Sequence, residues 1–366
     1  MGRRVIVVGP LPPPYGGVSV YVNALRVHLA GLGVRLWAYG SGSAPDSSVR
    51  LFNHRKLGII RLLLSEGRRA RILDITHHHF EYPNALLLPL WLVFKWLLRF
   101  EWHKNVHDGT LPARHRGFGL AQRLLFRLAA RSIDSFIVVS EDLKRWLQDE
   151  IKVRQQVTVI PCLLPVARQT AVAALPAGVA EALAAYRQRP RRVCSIGAFI
   201  PNYGFKHIAD AVETLRQQTG EDIGLALVAG TFAGDEDYRA QVLRRRDWIT
   251  VVENAPNPAV YQILKASNVF VRATGQESYG ISRVEAIWCG LPVVATPVGE
   301  TRGMLLYDFG DEKGLARQLE RALFHPPVQD VQRWAAQFRR EAETNLQSLK
   351  EALGISACVD GRKGVS

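Results

Sequence analysis

Residues 268–296, NVFVRATGQESYGISRVEAIWCGLPVVAT, contain the pattern that decides the fold. The runs at 268–273 and 291–296 are short, rich in β-branched residues and bounded by turn-forming residues, which predicts two strands. Between them, residues 279–289 are predicted to form a helix that ends at Gly290. A strand, a helix and a second strand in this order imply two parallel strands with the helix packed across them.

Two carboxylates and a glycine lie near the start of this predicted helix. Ligands of such units bind beyond the carboxyl ends of the strands, beside the helix N-terminus, and Glu277 and Gly280 are expected there. Glu285 falls at the edge of the apolar stripe of the helix, where a carboxylate needs hydrogen-bond donors. For a single glutamate the ordinary donor would be Arg283 or a backbone amide. The second carboxylate and the glycine favour hydroxyl groups of a ligand instead.

Size and composition indicate a folded chain of two domains. Of its 366 residues, 48% are hydrophobic, which is enough for packed cores. The four cysteines form no CxxC pair and no metal-binding spacing, and three lie in apolar runs, as is typical of a reduced, cytoplasmic protein. The first residues, MGRRVIVVGP, have only a strand-length apolar run, so we expect no secretory signal.

The net charge of +14 is concentrated in the first half of the chain. Residues 1–165 contain 23 Lys and Arg against 11 Asp and Glu, a net charge of +12, and the remainder has 24 against 22, a net charge of +2. A basic half indicates an anionic partner, such as a phosphorylated substrate or an anionic lipid surface. Nucleic acid is the weakest of these alternatives, because no nucleic-acid-binding signature is present.

Strands and helices are predicted to alternate along the whole chain, which implies an α/β protein with two Rossmann-like, doubly wound domains facing each other across a cleft. We assign an N-terminal domain (1–165), a linker (166–190), a C-terminal domain (191–328), a helix that packs back toward the N-terminal domain (329–353) and a flexible tail (354–366). The predicted strands are 5–8, 34–40, 72–79, 102–108, 135–140, 157–161, 192–198, 224–230 and 248–254, besides the two above. The predicted helices include 18–30, 205–217, 236–246, 258–267, 311–324 and 329–352.

The loop GPLPPPYGGVSVYV (9–22) precedes the first predicted helix but lacks the GxGxxG spacing of dinucleotide-binding turns. Its paired Gly16 and Gly17 would let a ligand approach the backbone at a helix start. A tight turn that needs positive φ explains the pair equally well at this stage.

Histidines give weak signals in this sequence. His77, His78 and His79 are adjacent on a predicted strand, so their side chains alternate between faces and do not converge on one metal ion. His107, at the end of another predicted strand, is by itself more often a packed residue than a catalytic one. We therefore expect no metal and no cofactor.

Taken together, these segments resemble the family-4 glycosyltransferases, which are retaining enzymes with the two-domain GT-B fold. The segment 12–22, PPPYGGVSVYV, is similar to the N-terminal glycine loop of that family, and 106–108, VHD, to its His motif. FIVVSEDLKRWL and VTVIP are similar to landmarks in the middle of the family's chain. The segment 277–296 matches the Glu-x7-Glu motif and the Gly-x-Pro run after it, and the resemblance covers about residues 5–325.

The resemblance implies a role for each matching residue. Glu285 would bind the ribose hydroxyls of a nucleotide, Glu277 would bind hydroxyls of the donor sugar and act in catalysis, and His107 would act near that sugar. The remaining donor-binding positions implied are Gly16, Gly17, Ser278, Tyr279, Gly280 and Ile281, with their backbone close to the diphosphate. The N-terminal domain would then be the acceptor side and the C-terminal domain the nucleotide-sugar side.

The chain departs from the family at the cations that neutralise the diphosphate. The family has an arginine after the first strand of the second domain and a lysine before the next glycine, where this chain has Ala198 and Tyr203. Lys206, Arg272 or Arg302 would have to replace them, since a diphosphate moved out of water without a cation is costly. We expect Lys206→Ala to weaken nucleotide binding more than Arg283→Ala.

Two stretches of the N-terminal half suggest a membrane surface. Residues 86–100, LLLPLWLVFKWLLRF, are too short and too charged to span a bilayer. Further along, Arg123, Arg127 and Arg131 share one helix face beside leucines. A core helix with a solvated basic face explains this pattern at least as well as peripheral binding to the inner face of the cytoplasmic membrane.

The function predicted from these features is transfer of a sugar from a nucleotide-sugar donor to a lipid-linked or polysaccharide acceptor, in the biosynthesis of polysaccharide or lipopolysaccharide. A nucleotide-sugar epimerase is one alternative. The loss of the diphosphate cations at Ala198 and Tyr203 keeps a second alternative open, a non-catalytic binding subunit.

Overall fold

A computed structural model describes residues 4–13, 15–39, 44–52, 55–76, 88–165 and 175–355. The chain forms two compact units. The first falls within 1–13, 18–167 and 342–366, and the second within 14–17 and 168–341.

The first unit is built on a seven-stranded parallel sheet. Its strands are β1 (Val5–Pro10), β2 (Val34–Tyr39), β3 (Val49–Leu51), β4 (Arg71–Asp74), β5 (Glu101–Val106), β6 (Ser135–Val138) and β7 (Gln156–Val159). They lie in the order β3-β2-β1-β4-β5-β6-β7, with every neighbouring pair parallel. The order reverses at β1, as in the doubly wound sheet that the sequence predicts. β3 was not predicted, because three residues are too few to show a period.

Helices connect and cover these strands. They are α1 (Gly17–His28), α2 (Arg55–Glu66), α3 (Leu88–Leu98), α4 (Leu111–Arg116), α5 (Leu120–Ser132) and α6 (Glu141–Arg145), which continues into a π-helical turn (Trp146–Ile151). Apolar clusters on both faces of the sheet bury its strands. That arrangement requires strands that are apolar on both faces, which explains runs such as VIVV and SFIVV.

The second unit is built on a six-stranded parallel sheet. Its strands are β8 (Arg191–Phe199), β9 (Ile223–Gly234), β10 (Ile249–Glu253), β11 (Val269–Arg272), β12 (Val293–Ala295) and β13 (Leu305–Leu306). Its helices are α7 (Ala177–Arg187), α8 (Phe205–Thr219), α9 (Glu236–Leu243), α10 (Asn257–Ala266), α11 (Ile281–Trp288), α12 (Glu312–Phe324) and α13 (Val328–Ala352). The strand order is β10-β9-β8-β11-β12-β13, so this sheet is doubly wound as well.

Side-chain caps fix the start of several helices. Ser140 accepts a hydrogen bond from the amide of Leu143 at the start of α6, at 3.3 Å. Asp235 and Asp311 do the same for α9 and α12, each at 2.9 Å. These caps satisfy amide donors that have no partner inside the helix.

The predicted domain boundaries stay a prediction, and two helices, α7 and α13, lie at or near them. Within the segment assigned to the linker, residues 177–187 form α7, whose Leu183 and Tyr186 are buried. The end of α13 belongs to the first unit, where Leu346 and Leu349 share an apolar cluster with β1.

The second sheet reverses direction between β8 and β11, which pair side by side. At such a reversal the loops after the two strands separate, and the crevice between them is the general ligand position of doubly wound sheets. Here the loop after β8 also contacts the loop after β11. A Cβ on Gly204 would lie 2.1 Å from the carbonyl oxygen of Ala273, and the φ of Gly204 is +66°. The contact between these two loops therefore needs glycine at position 204.

We predict that Gly204→Ala destabilises the second unit more than Gly220→Ala. Both glycines have positive φ, so each substitution costs about 1–2 kcal/mol in backbone strain. Only position 204 adds a clash, worth about 1–3 kcal/mol more, since no described atom lies within 4 Å of a Cβ at Gly220. Urea unfolding of the two full-length variants measures the difference. Equal losses would show that the two loops do not pack as described.

Candidate functional site

The site begins where β11 ends and α11 starts. β11 is fully apolar through Val271 and ends with Arg272, which is 8% exposed. Gly280 caps α11 with a φ of 83°, a left-handed conformation that favours glycine. The helix starts two residues later than predicted and ends at Trp288, one residue before the predicted end.

Glu277, in the loop between β11 and α11, forms an ion pair with Arg272. Its Oε2 accepts hydrogen bonds from Nε of Arg272 at 3.0 Å and from Nη2 at 2.7 Å. Both side chains are largely buried, with exposed fractions of 15% and 10%. The pairing keeps the carboxylate beside the end of β11 without an unpaired charge.

Two glycines leave room for the side chain of Glu277. A Cβ on Gly280 would lie 3.1 Å from Cγ of Glu277, and one on Gly299 would lie 3.0 Å from the same atom. Gly299 also has a φ of +70°, and its neighbour Glu300 donates its amide to the carbonyl of Tyr279 at 2.8 Å. The loop after β12 therefore packs against Glu277.

Glu285 lies on the second turn of α11 and has a different partner. The hydroxyl of Tyr261, on α10, donates to Oε1 of Glu285 at 3.0 Å. Burial raises the pKa of Glu285 to about 7, and the hydrogen bond from Tyr261 only partly offsets this. The donor is thus neither Arg283 nor a backbone amide, the two ordinary partners that the sequence suggested.

Arg283 is fully buried and holds the loop after β12 in place. Its Nη1 donates to the carbonyls of Thr296, Val298 and Glu300, and burial lowers its pKa to about 10. Truncating this side chain would leave those carbonyls unsatisfied and a cavity behind. Arg283→Ala therefore reports on folding and is unsuitable as the comparison for Lys206→Ala.

The other candidate cations are engaged elsewhere. Lys206, on the first turn of α8, forms an ion pair with Asp210 at 2.6 Å. Arg302 forms ion pairs with Glu300 at 2.6 Å and with Glu341 at 2.8 Å, and these partners raise its pKa. Ala198 is fully buried in β8, so the position where the family has arginine faces the core.

Tyr203 occupies the position where the family has lysine, and it contacts Arg272. The guanidinium carbon of Arg272 lies 4.6 Å from the centre of the Tyr203 ring. A Cβ on Gly197 would lie 2.6 Å from Cδ1 of Tyr203, so the ring packs directly on the backbone of β8. Sequence patterns do not reveal this contact, because Tyr203 lies in the loop after β8 and Arg272 ends β11, and these two strands are neighbours only in the folded sheet.

Gly16 and Gly17 stand at the start of α1. Neither has a positive φ, and no described atom lies within 4 Å of a Cβ built on either. The tight-turn explanation therefore does not account for them, and the open space in front of a helix N-terminus favours close approach of a ligand.

His107 follows β5 in the first unit and is buried. Its ring contacts that of Tyr21 edge-on, with the ring centres 4.6 Å apart. His77, His78 and His79 lie outside the described residues. Within the described ranges, no group of three or more His, Cys, Asp or Glu side chains is placed to hold a metal ion.

The second unit thus brings together Arg272, Glu277, Gly280 and the start of α11, with Ser278 half-buried and Tyr279 buried between them. Glu285 lies one turn further along the helix, and Lys206 lies on a different helix, paired with Asp210. Sequence reasoning missed Tyr261 and Gly299, and it noted Tyr203 only as a lost lysine, not as a residue that contacts Arg272. A carboxylate pair, an arginine and a helix N-terminus at the reversal point of a sheet are suited to a phosphorylated ligand that also has hydroxyl groups.

Family models match both halves of the chain. Residues 15–168 match the model described as Glycosyltransferase Family 4, and residues 190–325 match the model described as Glycosyl transferases group 1. With its two doubly wound domains, the chain belongs to the family-4 glycosyltransferases and has the GT-B fold. No curated protein sequence is close enough to count as a match.

Solved structures share this fold over nearly the whole chain. The Anabaena protein HepE in complex with UDP and glucose superposes with a TM-score of 0.71 and 15% identity, covering 96% of this chain and 100% of that chain. Sucrose-phosphate synthase from Thermosynechococcus elongatus has a TM-score of 0.64 and 18% identity, over 96% and 97%. A trehalose-phosphate synthase (UDP-forming) from Burkholderia xenovorans, in complex with glucose-6-phosphate, has a TM-score of 0.66 and 13% identity, over 96% and 100%.

We predict that Glu285→Gln becomes more stable relative to the wild type as pH rises. The pKa of Glu285 in the folded chain, about 7, lies above its ordinary value of 4.5, so ionisation opposes folding between these values. The difference in free energy of unfolding should therefore grow from pH 4.5 to pH 7, by up to about 3 kcal/mol, and then level off. Urea unfolding at a series of pH values measures it.

The control for this experiment is Glu320→Gln, which removes a carboxylate from the exposed side of α12. A difference for Glu285→Gln that stays constant or shrinks with rising pH would contradict the raised pKa of Glu285.

Proposed function

We propose that the protein is a retaining glycosyltransferase that moves a sugar from a nucleotide-sugar donor to a lipid-linked or polysaccharide acceptor in cell-surface glycan biosynthesis. One observation carries the donor part of this proposal. Glu277 precedes α11 and Glu285 lies on its second turn, and α11 begins in the loop that follows β11 at the reversal point of the sheet. Helix amides suit a diphosphate, and carboxylate oxygens suit hydroxyl groups.

Each carboxylate is assigned to one part of the donor. Glu285 accepts hydrogen bonds from the ribose hydroxyls, alongside the bond that it accepts from Tyr261. Both hydrogen bonds from Arg272 go to Oε2 of Glu277. Its Oε1 is therefore assigned to accept hydrogen bonds from hydroxyl groups of the sugar. The backbone at Gly280 and Ile281 faces the diphosphate. HepE, which has the same fold, was solved with UDP and glucose, so UDP-sugars are the first donors to test.

Transfer is proposed to occur from the front face of the donor sugar. The bond between the anomeric carbon and the diphosphate breaks while the acceptor hydroxyl attacks from the same side, and its proton passes to the departing phosphate oxygen. Glu277 is a poor nucleophile for the alternative double displacement, because Arg272 neutralises its charge. The protein would act mainly by orientation and by stabilising charge, with His107 near the sugar.

The acceptor part of the proposal rests on an apolar surface formed by α3 and α5, which we name the α3–α5 surface. Its exposed side chains are Leu90, Leu92, Val93, Trp96 and Leu97 on α3, and Leu120, Leu124 and Leu128 on α5. The two helices are joined by Lys95, whose Nζ donates to the carbonyl of Ser132 at 2.5 Å. Soluble monomers rarely expose so many large apolar side chains together, so the surface indicates a partner.

The charge around this surface favours an anionic membrane as the partner. Residues 88–132 contain eight Lys and Arg against two Asp and Glu, a net charge of +6. Arg127 and Arg131 are exposed on α5, each three residues after an exposed leucine. Apolar side chains beside arginines suit the boundary between lipid headgroups and acyl chains, where a lipid-linked acceptor is presented. No helix among the described residues is long and apolar enough to cross a membrane.

We predict that a thermal-shift screen of UDP-, GDP- and ADP-sugars finds one donor that raises the melting temperature of the full chain. Binding to the folded state stabilises it by mass action, by about 2.7 kcal/mol at a hundredfold excess over Kd. The same donor should be hydrolysed or transferred with retention at the anomeric carbon, as followed by NMR.

The outcomes of this screen separate the alternatives. Conversion of the donor sugar to its epimer without any acceptor would identify an epimerase and overturn the proposal. Binding without turnover on any membrane fraction would support a non-catalytic subunit. Transfer to a sugar phosphate, the ligand class of the Burkholderia xenovorans structure, would overturn only the acceptor part.

We predict that the protein co-sediments with vesicles of equal parts phosphatidylcholine and phosphatidylglycerol at low salt, and not with phosphatidylcholine alone. Trp96→Ser with Leu97→Ser should lower the partition coefficient by about tenfold or more, because each side chain contributes about 1.5–3 kcal/mol when buried. Arg127→Glu with Arg131→Glu should weaken binding at low salt by a similar factor.

The matched controls are Val328→Ser and Arg317→Glu, which change exposed residues on α13 and α12 of the second unit. They should bind vesicles as the wild type does. No binding of the wild type to anionic vesicles at low salt would dismiss the membrane as partner of the α3–α5 surface.

A further inference from the structure

The donor that the proposed function requires has a negatively charged diphosphate, and the described cations of the second unit differ in their ability to receive it. Arg283 is fully buried and bound to carbonyls. Arg302 donates four hydrogen bonds to the two carboxylates of Glu300 and Glu341. Lys206 forms its ion pair with Asp210 on the surface of α8. None of these three is placed at the end of β11.

Arg272 is the last residue of β11, at the reversal point of the sheet and next to the loop that leads into α11. Its guanidinium has five N–H donors. Nε and Nη2 each donate one to Glu277, and Nη1 donates one to the carbonyl of Ile196 on β8. One N–H on each terminal nitrogen therefore remains to donate to phosphate oxygens.

The orientation of this guanidinium is fixed by its neighbours. The ring of Tyr203 lies against its face, 4.6 Å from the guanidinium carbon, and Gly197 allows that ring to rest on the backbone of β8. Glu277 holds one edge and Ile196 holds one terminal nitrogen. An arginine packed in this way loses little rotamer entropy when a ligand binds, which favours tight binding.

We propose that Arg272 binds the diphosphate of the donor, with Tyr203 and Glu277 as its positioning residues, in place of the cations absent at positions 198 and 203. This assignment rests on the proposed function. The Arg272–Glu277 contact then orients two groups at once: the guanidinium that binds phosphate and the carboxylate that binds the sugar.

The test compares a nucleoside diphosphate with its nucleoside, using whichever of UDP, GDP or ADP matches the best donor in the thermal-shift screen. In the wild type, the diphosphate should bind more tightly than the nucleoside by isothermal titration calorimetry. Arg272→Met should weaken binding of the diphosphate by roughly 10- to 100-fold and leave binding of the nucleoside unchanged. Arg272→Lys should recover only part of the loss, because lysine has no fork.

Further variants keep the test decisive if Arg272→Met folds poorly with Glu277 left unpaired. The double variant Arg272→Met with Glu277→Gln removes both charges and is compared with Glu277→Gln alone. Tyr203→Ala should weaken binding of the diphosphate without affecting the nucleoside, and Tyr203→Phe should restore it, because the phenyl ring still packs against the guanidinium. Arg317→Met, on the exposed side of α12, is the control for loss of an arginine as such.

The outcomes separate this inference from the proposed function. A wild-type chain that binds no nucleoside diphosphate would contradict the proposed function itself. A wild-type chain that binds one, with the Arg272 variants binding equally well, would overturn only the assignment of Arg272. A selective loss in Lys206→Met, with no loss in Arg272→Met, would overturn it in favour of Lys206.

Discussion

Parallel pairing of β8 and β11 is the constraint on which the rest of the second unit depends. Parallel strands collect their carboxyl ends at one edge of the sheet, and the chain must return by a helix after each strand. When the winding direction changes between two neighbours, their loops diverge and leave a crevice. The features of the candidate site follow from it: Arg272 ends one of the two strands, and the loop with Tyr203 follows the other. No local pattern at either position would bring them together.

The candidate site contains a charged side chain, Arg272, at the end of a buried strand. β11 is enclosed on both faces, so an arginine at its last residue needs a partner that the same unit supplies. Glu277 is that partner, and the left-handed glycines at 280 and 299 give its side chain room. The buried charge of Arg283 is stabilised in a different way, because backbone carbonyl oxygens rather than a carboxylate accept its hydrogen bonds. One arginine thus organises the loop, and the other is left with donors for a ligand.

The sequence predicts most of this fold because the strands are continuous apolar runs and glycines end the helices. The β11–α11–β12 unit is the best example, since Gly280 and Gly290 bound the helix and the strands lack any polar interruption before Arg272. Glu277 and Glu285 were found in the same way, from their positions just before and within that helix. The contacts of Tyr261 with Glu285 and of Tyr203 with Arg272 were not found. Each depends on which strands are neighbours in the sheet, and the alternation of strands and helices does not determine that order. For the same reason, sequence reasoning named Lys206, Arg272 and Arg302 as candidates for the replacement cation without separating them, and in the structure Lys206 pairs with Asp210 one turn along its own helix.

The two glutamates of the motif differ in the partner that the fold gives them, and this difference suits two kinds of hydroxyl contact. Glu277 is paired with a cation, so its negative charge is compensated before any ligand arrives. Glu285 has only the neutral hydroxyl of Tyr261, and burial raises its pKa to about 7. In the proposed function, hydroxyl donors of the ligand would favour the ionised carboxylate, so their binding at Glu285 would be linked to loss of its proton, whereas the Arg272–Glu277 pair is set in advance by the fold. The proposed contact at Glu285 would therefore be sensitive to pH near neutrality, whereas the Arg272–Glu277 pair depends on geometry that Tyr203, Gly280 and Gly299 maintain.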